Sequence, residues 1–345
     1  MNMLRTAVGL DIGHSYLKLV QLQKKRRGPI EVVCCDVQST PPGCLEAGVV
    51  VDPQTLEGAI AELFEKNRAK RDCVCIAISG AGLDLRQLEL PVMVRNELKQ
   101  AIAWELKELI IYESTPLEDI FFDFHLLTKG KSGELARILV VSASKSQIYG
   151  YIDVCKGAGL SLEIIDMGLL SLPHIFPRTT PLCHIILGAR SIQILIRNAN
   201  GHRLGRLIPV GCENLVDALA KDEGLSQEQA RHTLSNDGLD YQGVYGEEMK
   251  KTTSQMVTGI MQSLEYERIQ QRLNSIGDVA EEVFICGGGA LFPHMAALLE
   301  DALHLPVRIL DPYAELSIDK PVLVEEWGPM LVPAFALAYR GLKER

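Results

Sequence analysis

The chain has 345 residues, 47% of them hydrophobic and 23% charged, with 29 Gly and 16 Pro. It is too long for one ordinary core and too apolar for disorder, so two domains or one large composite domain are expected. The 35 basic and 44 acidic residues leave a formal charge of -9, which excludes a field that would hold nucleic acid or an anionic bilayer. No run of about 18 apolar residues exists, and the stretch from Leu331 to Tyr339 is far too short to span a bilayer. Asp11 and Lys18 break what would be a signal-peptide core, so a cytoplasmic protein without direct membrane insertion is expected.

Residues 5 to 40 read as a three-stranded antiparallel meander. Ala7 to Gly13 is a buried strand ending in glycine, Tyr16 to Leu22 alternates with period two, and Ile30 to Cys35 follows. The basic knot Lys24-Lys25-Arg26-Arg27 precedes Gly28-Pro29 and reads as a solvated hairpin tip rather than a polyanion site. After the Pro-Pro-Gly break at 41 to 43 comes a helix from about Asp52 to Arg68, with Pro53 in its first turn and Ile60, Leu63 and Phe64 on one face. Cys73 to Ser79 is another apolar strand. The texture then changes: a strand from Leu83 to Leu90 is ended by Pro91, and a helix runs from Glu97 to Ile111 with Leu98, Ile102, Leu106 and Leu109 inward. Strands at 120 to 127 and 137 to 142 flank a Lys-Gly-Lys-Ser-Gly turn at 129 to 133, before a helix from Lys145 to Gly157. This β-α-β-β-α unit of about 75 residues reads as a small domain inserted into a larger one.

From His184 the opening pattern returns. Ile185-Ile186-Leu187-Gly188 ends in glycine, Ser191 to Arg197 is the return strand, and the turn Asn198 to Gly201 leads into Arg203 to Val210. Gly188 falls on Gly13 and Ile186 on Asp11, a repeat at about 175 residues that points to a duplicated fold. Helices follow at about 214 to 221, 226 to 235 and 246 to 273. Val283 to Cys286 then runs into Gly287-Gly288-Gly289 and a helix from Pro293 to Ala302. The nine cysteines form no Cys-x-x-Cys pair and have no His at ligand spacing. Cys34, Cys73, Cys75, Cys183 and Cys286 stand in apolar strand-like runs, and buried reduced thiols are expected rather than a metal site.

Two hairpins with glycine at the tip and a strand entering three glycines make a nucleotide cradle plausible. Glycine lets backbone N–H groups approach phosphate oxygens. Either hairpin alone is weak, since a tight turn uses glycine for its own geometry, and three glycines also serve a sharp strand-to-helix turn. The combination carries the weight.

Gly9-Leu10-Asp11-Ile12-Gly13-x-Ser15-x-x-Lys18 resembles the first phosphate loop of the actin-like ATPase superfamily, and Cys286-Gly287-Gly288-Gly289-Ala290 resembles its adenosine motif. The segments Ile78-Ser79-Gly80 with Leu88-Glu89-Leu90-Pro91, Glu97-Leu98-x-x-Ala101-Ile102-x-Trp104-Glu105, Gly157 to Leu160 leading to Ile165-Asp166, Pro209 to Leu215, and Trp327 to Leu342 are similar to the PilM family of type IV pilus assembly, over essentially the whole chain. The resemblance implies an actin-like (ribonuclease H-like) duplicated α/β fold, two lobes around a nucleotide cleft, with the inserted unit in the place it takes in FtsA. It implies a first lobe of residues 1–83 with 161–181 and 323–345, an insert of 84–160, and a second lobe of 182–322 with an outer part at about 222–275. ATP, with Mg near Asp11, is the implied cofactor. Gly13, His14 and Ser15 would offer backbone and hydroxyl groups to phosphates, with Lys18 as countercharge. Gly188 and Ala189 would form the second loop, Gly211 would approach the cleft, and Gly287, Gly288 and Gly289 would pack on the nucleoside. The implied partner is the N-terminal cytoplasmic peptide of a PilN-like single-span membrane protein, which would hold the chain at the inner membrane. Other pilus platform components or an assembly ATPase are further implied partners. Trp104 and Glu105 either face that partner or close the small domain's core.

The departures from the family pattern bear on activity. Ile186 stands where the second loop usually carries Asp, and an apolar side chain cannot orient an attacking water. The helix expected to bring an acid and a lysine to the nucleoside reads Ala230-Arg231-His232-Thr233-Leu234. The expectation is an ATP-binding scaffold with little or no turnover. The competing reading is an active ATPase or sugar-kinase-like enzyme, for which Asp84 or Asp166 are the nominable carboxylates. An FtsA-like self-tethered filament former lacks its amphipathic helix here.

Overall fold

The computed structural model describes residues 4–25, 28–78, 80, 83–108, 116–127, 134–176, 180–198, 201–239, 246–316, 318 and 327–344. Arg26, Arg27, Ser79, Leu109, Ile111 and the turns at 129–133 and 199–200 lie outside them. The chain opens with the antiparallel strands β1 (Arg5–Ile12), β2 (Tyr16–Lys24) and β3 (Ile30–Ser39). A short hairpin, β4 (Leu45–Glu46) with β5 (Val49–Val50), leads to helix α1 (Pro53–Lys66). Asp52 caps α1 by accepting from Thr55 N–H at 3.1 Å, and Pro53, which lacks an N–H, takes the first turn. Strand β6 (Val74–Ala77) then pairs parallel with β1.

The inserted unit follows as β7 (Leu83–Pro91), α2 (Arg95–Lys107), β8 (Ile120–Leu126), β9 (Leu135–Ser144) and α3 (Lys145–Gly157), with sheet order β7-β9-β8. Leu98, Ile102 and Leu106, spaced for one helical face, pack on Ile138 and Val140 to form its own core. Strand β10 (Leu162–Asp166) returns beside β6, and α4 (Gly168–Ile175) leads into the second lobe.

There the plan repeats. β11 (Leu182–Leu187), β12 (Ile192–Asn198) and β13 (Gly201–Ile208) form a second meander, followed by α5 (Cys212–Glu223), α6 (Gln227–Asn236) and α7 (Glu247–Gln270). β14 (Glu282–Cys286), α8 (Met295–Leu303), β15 (Val307–Ile309), α9 (Pro312–Leu316) and α10 (Gly328–Lys343) complete the described chain. The two five-stranded sheets have matching orders, β3-β2-β1-β6-β10 and β13-β12-β11-β14-β15. In each, the meander is antiparallel and the last two strands are parallel. This is the duplicated actin-like fold with its inserted subdomain.

The second lobe's first strand is apolar but for His184, and all six residues are buried because both faces are covered. Leu182 and Ile186 belong to the large core shared with α4 and α10, whereas Cys183, Ile185 and Leu187 pack under α5, α7 and α8. Two expectations need correction. Between β14 and α8 the glycines wind into a 3₁₀ turn (Gly288–Leu291), and α8 starts only at Met295, because His294 holds the left-handed region (φ 65°). Cys34, on the edge strand β3, is half-exposed rather than buried, while Cys73 lies just before β6.

The insert is fastened to both lobes. Gln147 Nε2 and Tyr151 Oη of α3 each donate to Gly48 O at 2.9 Å in the first lobe. On the second lobe, Leu85 and Leu139 press on β13 at Gly205, where a Cβ would lie 2.8 Å from Leu85 Cδ2. Arg137 Nη2 of β9 donates to Glu267 Oε2 of α7 at 3.0 Å.

Candidate functional site

Each lobe closes its first hairpin with the same backbone chemistry. Gly13 N–H donates to Tyr16 O, and Gly188 N–H donates to Ser191 O, both at 3.1 Å. Both turns open into one cavity of about 980 Å³. Asp11, Gly13, His14, Ser15 and Lys18 line it from the first lobe, Gly188 and Ala189 from the second hairpin, and Gly287, Gly288 and Gly289 from the segment after β14. Of the residues expected at a nucleotide, Gly211 is not among those lining it. Gly211 starts α5 at a close approach: a Cβ there would lie 2.5 Å from Ala189 O. Its N–H donates to Asn214 Oδ1 at 2.9 Å, while Cys212 N–H and Glu213 N–H donate to Gly188 O and Ala189 O at 2.9 and 2.8 Å. The first donors of α5 are therefore spent on holding the second hairpin. Gly287 takes φ 89°, and a Cβ there would lie 2.6 Å from Leu187 O, so both backbone and space require glycine.

The matched strands carry unmatched side chains. Asp11 faces Lys18 across β1 and β2, and Lys18 Nζ donates to Asp11 Oδ2 at 2.7 Å with the side chains 13% and 12% exposed. At the equivalent register of β11 and β12, Ile186 faces Gln193. Both line the cavity, both are 6% exposed, and Gln193 Oε1 is buried with no hydrogen-bond partner among the described residues.

The hairpin tips are tied across the lobes. Ser15 Oγ donates to Glu213 Oε1 at 2.8 Å, and Arg231 of α6 grips the same carboxylate with Nη1 and Nη2 at 2.6 and 2.8 Å. Burial pushes the Glu213 carboxyl up, but the hydrogen bonds from Arg231 and Ser15 outweigh it and hold its pKa below the ordinary value. The same carboxylate raises Arg231. Burial, then the charge of Arg190, lowers the pKa of His14, whose buried Nδ1 lacks a hydrogen-bond partner among the described residues.

Sequence reasoning gives no role to Glu213, Arg190 or Gln193, and treats Arg231 only as a departure. The available signals were local: Arg190 follows directly on the second glycine loop, and Glu213 opens the helix after Gly211. The carboxylates nominated for a kinase fall elsewhere. Asp84 accepts from Arg86 Nη2 at 2.8 Å, and Asp166 accepts from Ser171 Oγ at 2.5 Å and from Arg340; neither lines the cavity.

A model of the type IV pilus assembly protein PilM family matches residues 9–342. The chain belongs to this family. Among solved structures it is similar to a PilM-PilN type IV pilus biogenesis complex, with a TM-score of 0.84 and 25% identity over 97% of this chain and 98% of that chain. It shares the fold of the ethanolamine utilization protein EutJ from Carboxydothermus hydrogenoformans, with a TM-score of 0.54 and 14% identity over 97% of this chain and 89% of that one. No curated protein matches the chain. Among the described residues, no helix is long and apolar enough to cross a membrane.

On the insert of this PilM-family chain, Trp104 and Glu105 sit on the outer face of α2. Trp104 is 67% exposed with Lys107 Nζ 4.9 Å from its ring centroid, so the small core is closed by Leu98, Ile102 and Leu106 without it.

Proposed function

We propose that this protein is a cytoplasmic actin-like scaffold of a pilus assembly platform. In this reading it binds adenine nucleotide in the cleft and the N-terminal peptide of a PilN-like membrane protein beside the insert. The observation that carries the nucleotide half is the pair of chemically matched glycine hairpins, one from each lobe, tied tip to tip through Ser15 and Glu213. The residues present fit a nucleotide. The cavity is large enough, glycines line it where backbone must approach a ligand, and Gln193 and His14 bring buried polar atoms with unmet hydrogen bonds. A Mg ion carried by the polyphosphate would meet the Asp11 carboxylate and would neutralise phosphate charge. Ile186 offers no second carboxylate, which favours binding over turnover.

The partner half rests on family membership and on likeness to the PilM-PilN complex, and the exposed Trp104 and Glu105 of α2 suit a docking face. Such a partner would bring the chain to the inner membrane. Domain limits of 1–83 with 161–181 and 323–345, 84–160 and 182–322 suit the element order, with α6 and α7 forming the outer part of the second lobe. The test is a thermal-shift and phosphate-release assay with ATP beside anisotropy of a labelled PilN-type peptide. Stabilisation by ATP with negligible phosphate release, and peptide binding weakened by Trp104→Ala, are expected. Steady phosphate release that is lost in Asp11→Ala would overturn the scaffold reading, and peptide binding indifferent to Trp104 would move the partner surface.

A further inference from the structure

We infer that Arg190 determines how strongly this cleft prefers a triphosphate over shorter phosphate chains, by supplying a guanidinium not engaged in any hydrogen bond or ion pair where the two hairpin tips meet. The inference rests on the nucleotide reading above. Among the described residues, three cationic side chains line the cavity: Lys18, Arg190 and Arg231. Lys18 is committed to Asp11 at 2.7 Å, and Arg231 is committed to both oxygens of Glu213. Arg190 has no hydrogen-bond or ion-pair partner among the described residues. Two helix- and loop-derived sources of positive potential are spent as well. The leading N–H groups of α5 are bound to Gly188 O and Ala189 O, and Gly287 N–H donates to Pro329 O at 2.9 Å.

Position agrees with charge. Arg190 lies in the turn closed by Gly188 and Ser191, beside Ala189, whose carbonyl accepts from the same Glu213 that holds Ser15. Three residues on, the nine-tenths buried amide of Gln193 lines the same cavity with its oxygen unpartnered, an independent sign that a polar ligand belongs at this hairpin. Arg190 acts electrostatically on both His14 of the first turn and Glu213, so its charge is felt where the two tips meet. A phosphate chain reaching between the tips gains charge at Arg190 with each added phosphoryl group, and guanidinium suits phosphate oxygens by its fork of donors.

The experiment is titration calorimetry of the full chain with ATP, ADP and AMP, for the wild type, R190A and R190K. Arg190 is exposed and unpaired, so R190A should keep the wild-type melting temperature. R190A is expected to weaken ATP about tenfold or more, equivalent to about 1.4 kcal/mol, while changing AMP by no more than about twofold. R190K should restore most of the loss. R190A that binds ATP as the wild type does, or that loses ATP and AMP by the same factor, overturns the inference while leaving the nucleotide reading intact. A wild type that binds none of the three overturns the nucleotide reading and this inference with it.

Discussion

The link between insert and second lobe is open to a quantitative test at Glu267. Its side chain is 2% exposed and lies 3.0 Å from the Arg137 guanidinium, which is itself only 12% exposed and also donates to Gln87 Oε1 at 2.7 Å. Removing one partner of a buried pair costs about 3–5 kcal/mol, because the other charge stays in a poorly solvated place. Gln87 continues to solvate Arg137, so Glu267→Ala is expected at the lower end, about 3 kcal/mol, and Glu267→Gln, which keeps an acceptor, at about half of that. The double variant R137M/E267L removes both charges and fills the space, and is expected within about 1 kcal/mol of the wild type. Urea unfolding of the wild type, R137M, E267L and the double variant, followed by far-UV circular dichroism, gives the four corners of the cycle. Coupling near zero, or single variants as stable as the double, would refute the view that this pair fastens the insert to the second lobe. A loss confined to local proteolysis of 84–160 with unchanged global unfolding would show instead that the insert opens independently.

Three other outcomes follow from the site and the thiols. Glu213→Gln removes the acceptor shared by Ser15 and Arg231 and should cost about 1–2 kcal/mol at neutral pH, solvent at the 38% exposed Arg231 limiting the loss. The folded pKa of Glu213 lies below its ordinary 4.5, so the stability it adds is present above that value and fades as pH falls through the folded pKa; the gap between wild type and variant should therefore close below pH 4.5. Ile186→Asp places a carboxylate at a 6% exposed site opposite neutral Gln193, where burial would raise its pKa, so its destabilisation in urea should be larger at pH 8 than at pH 5. Burial, with Cys35 and Asp36 nearby, pushes the half-exposed Cys34 thiol up to about 11. At pH 8 roughly one molecule in a thousand then carries the thiolate. Native labelling read by mass spectrometry should be slow at Cys34 and slower still at the seven buried cysteines, and rapid modification of any buried one would contradict the packing.

Much of the architecture was legible because it depends on local pattern. The apolar run at 74–77, the mostly apolar 182–187 and the helical spacing of Leu98, Ile102 and Leu106 each follow from neighbours in sequence, whereas the alternation expected for Tyr16 to Leu22 holds only to Leu19, beyond which Val20, Gln21 and Leu22 are all buried. The repeat of strand, glycine and return strand was legible for the same reason, and the paired sheet orders are its three-dimensional form. What escaped was partnership at long range. The ties between Ser15 and Glu213, 198 residues apart, and between Arg137 and Glu267, 130 apart, are charge and hydroxyl contacts that no periodicity announces. Trp104 was undecided for a related reason. An aromatic on an amphipathic helix is compatible with either face, and only the packing of α2 leaves it outside. The short β4 and β5 hairpin and the three-residue β15 carry too few residues for a pattern.

The duplicated backbone and the divergent side chains have one explanation. The hairpin turn is fixed by a glycine N–H and the carbonyl three residues on, so it persists whatever stands on the flanking strands. The cross-strand pair beneath it is a different matter. In the first lobe Asp11 and Lys18 neutralise each other at low exposure, an arrangement that survives only while both are present. In the second lobe the strand is packed on both faces, with Ile186 in the core shared with α4 and α10. A carboxylate at 186 without a lysine at 193 would be a buried unpaired charge, costing more than either exchange alone. The apolar Ile186 and the neutral Gln193 opposite it are thus mutually consistent: the second hairpin has the shape of the first without its ion pair, and the cation at its tip, Arg190, makes no hydrogen bond or ion pair among the described residues.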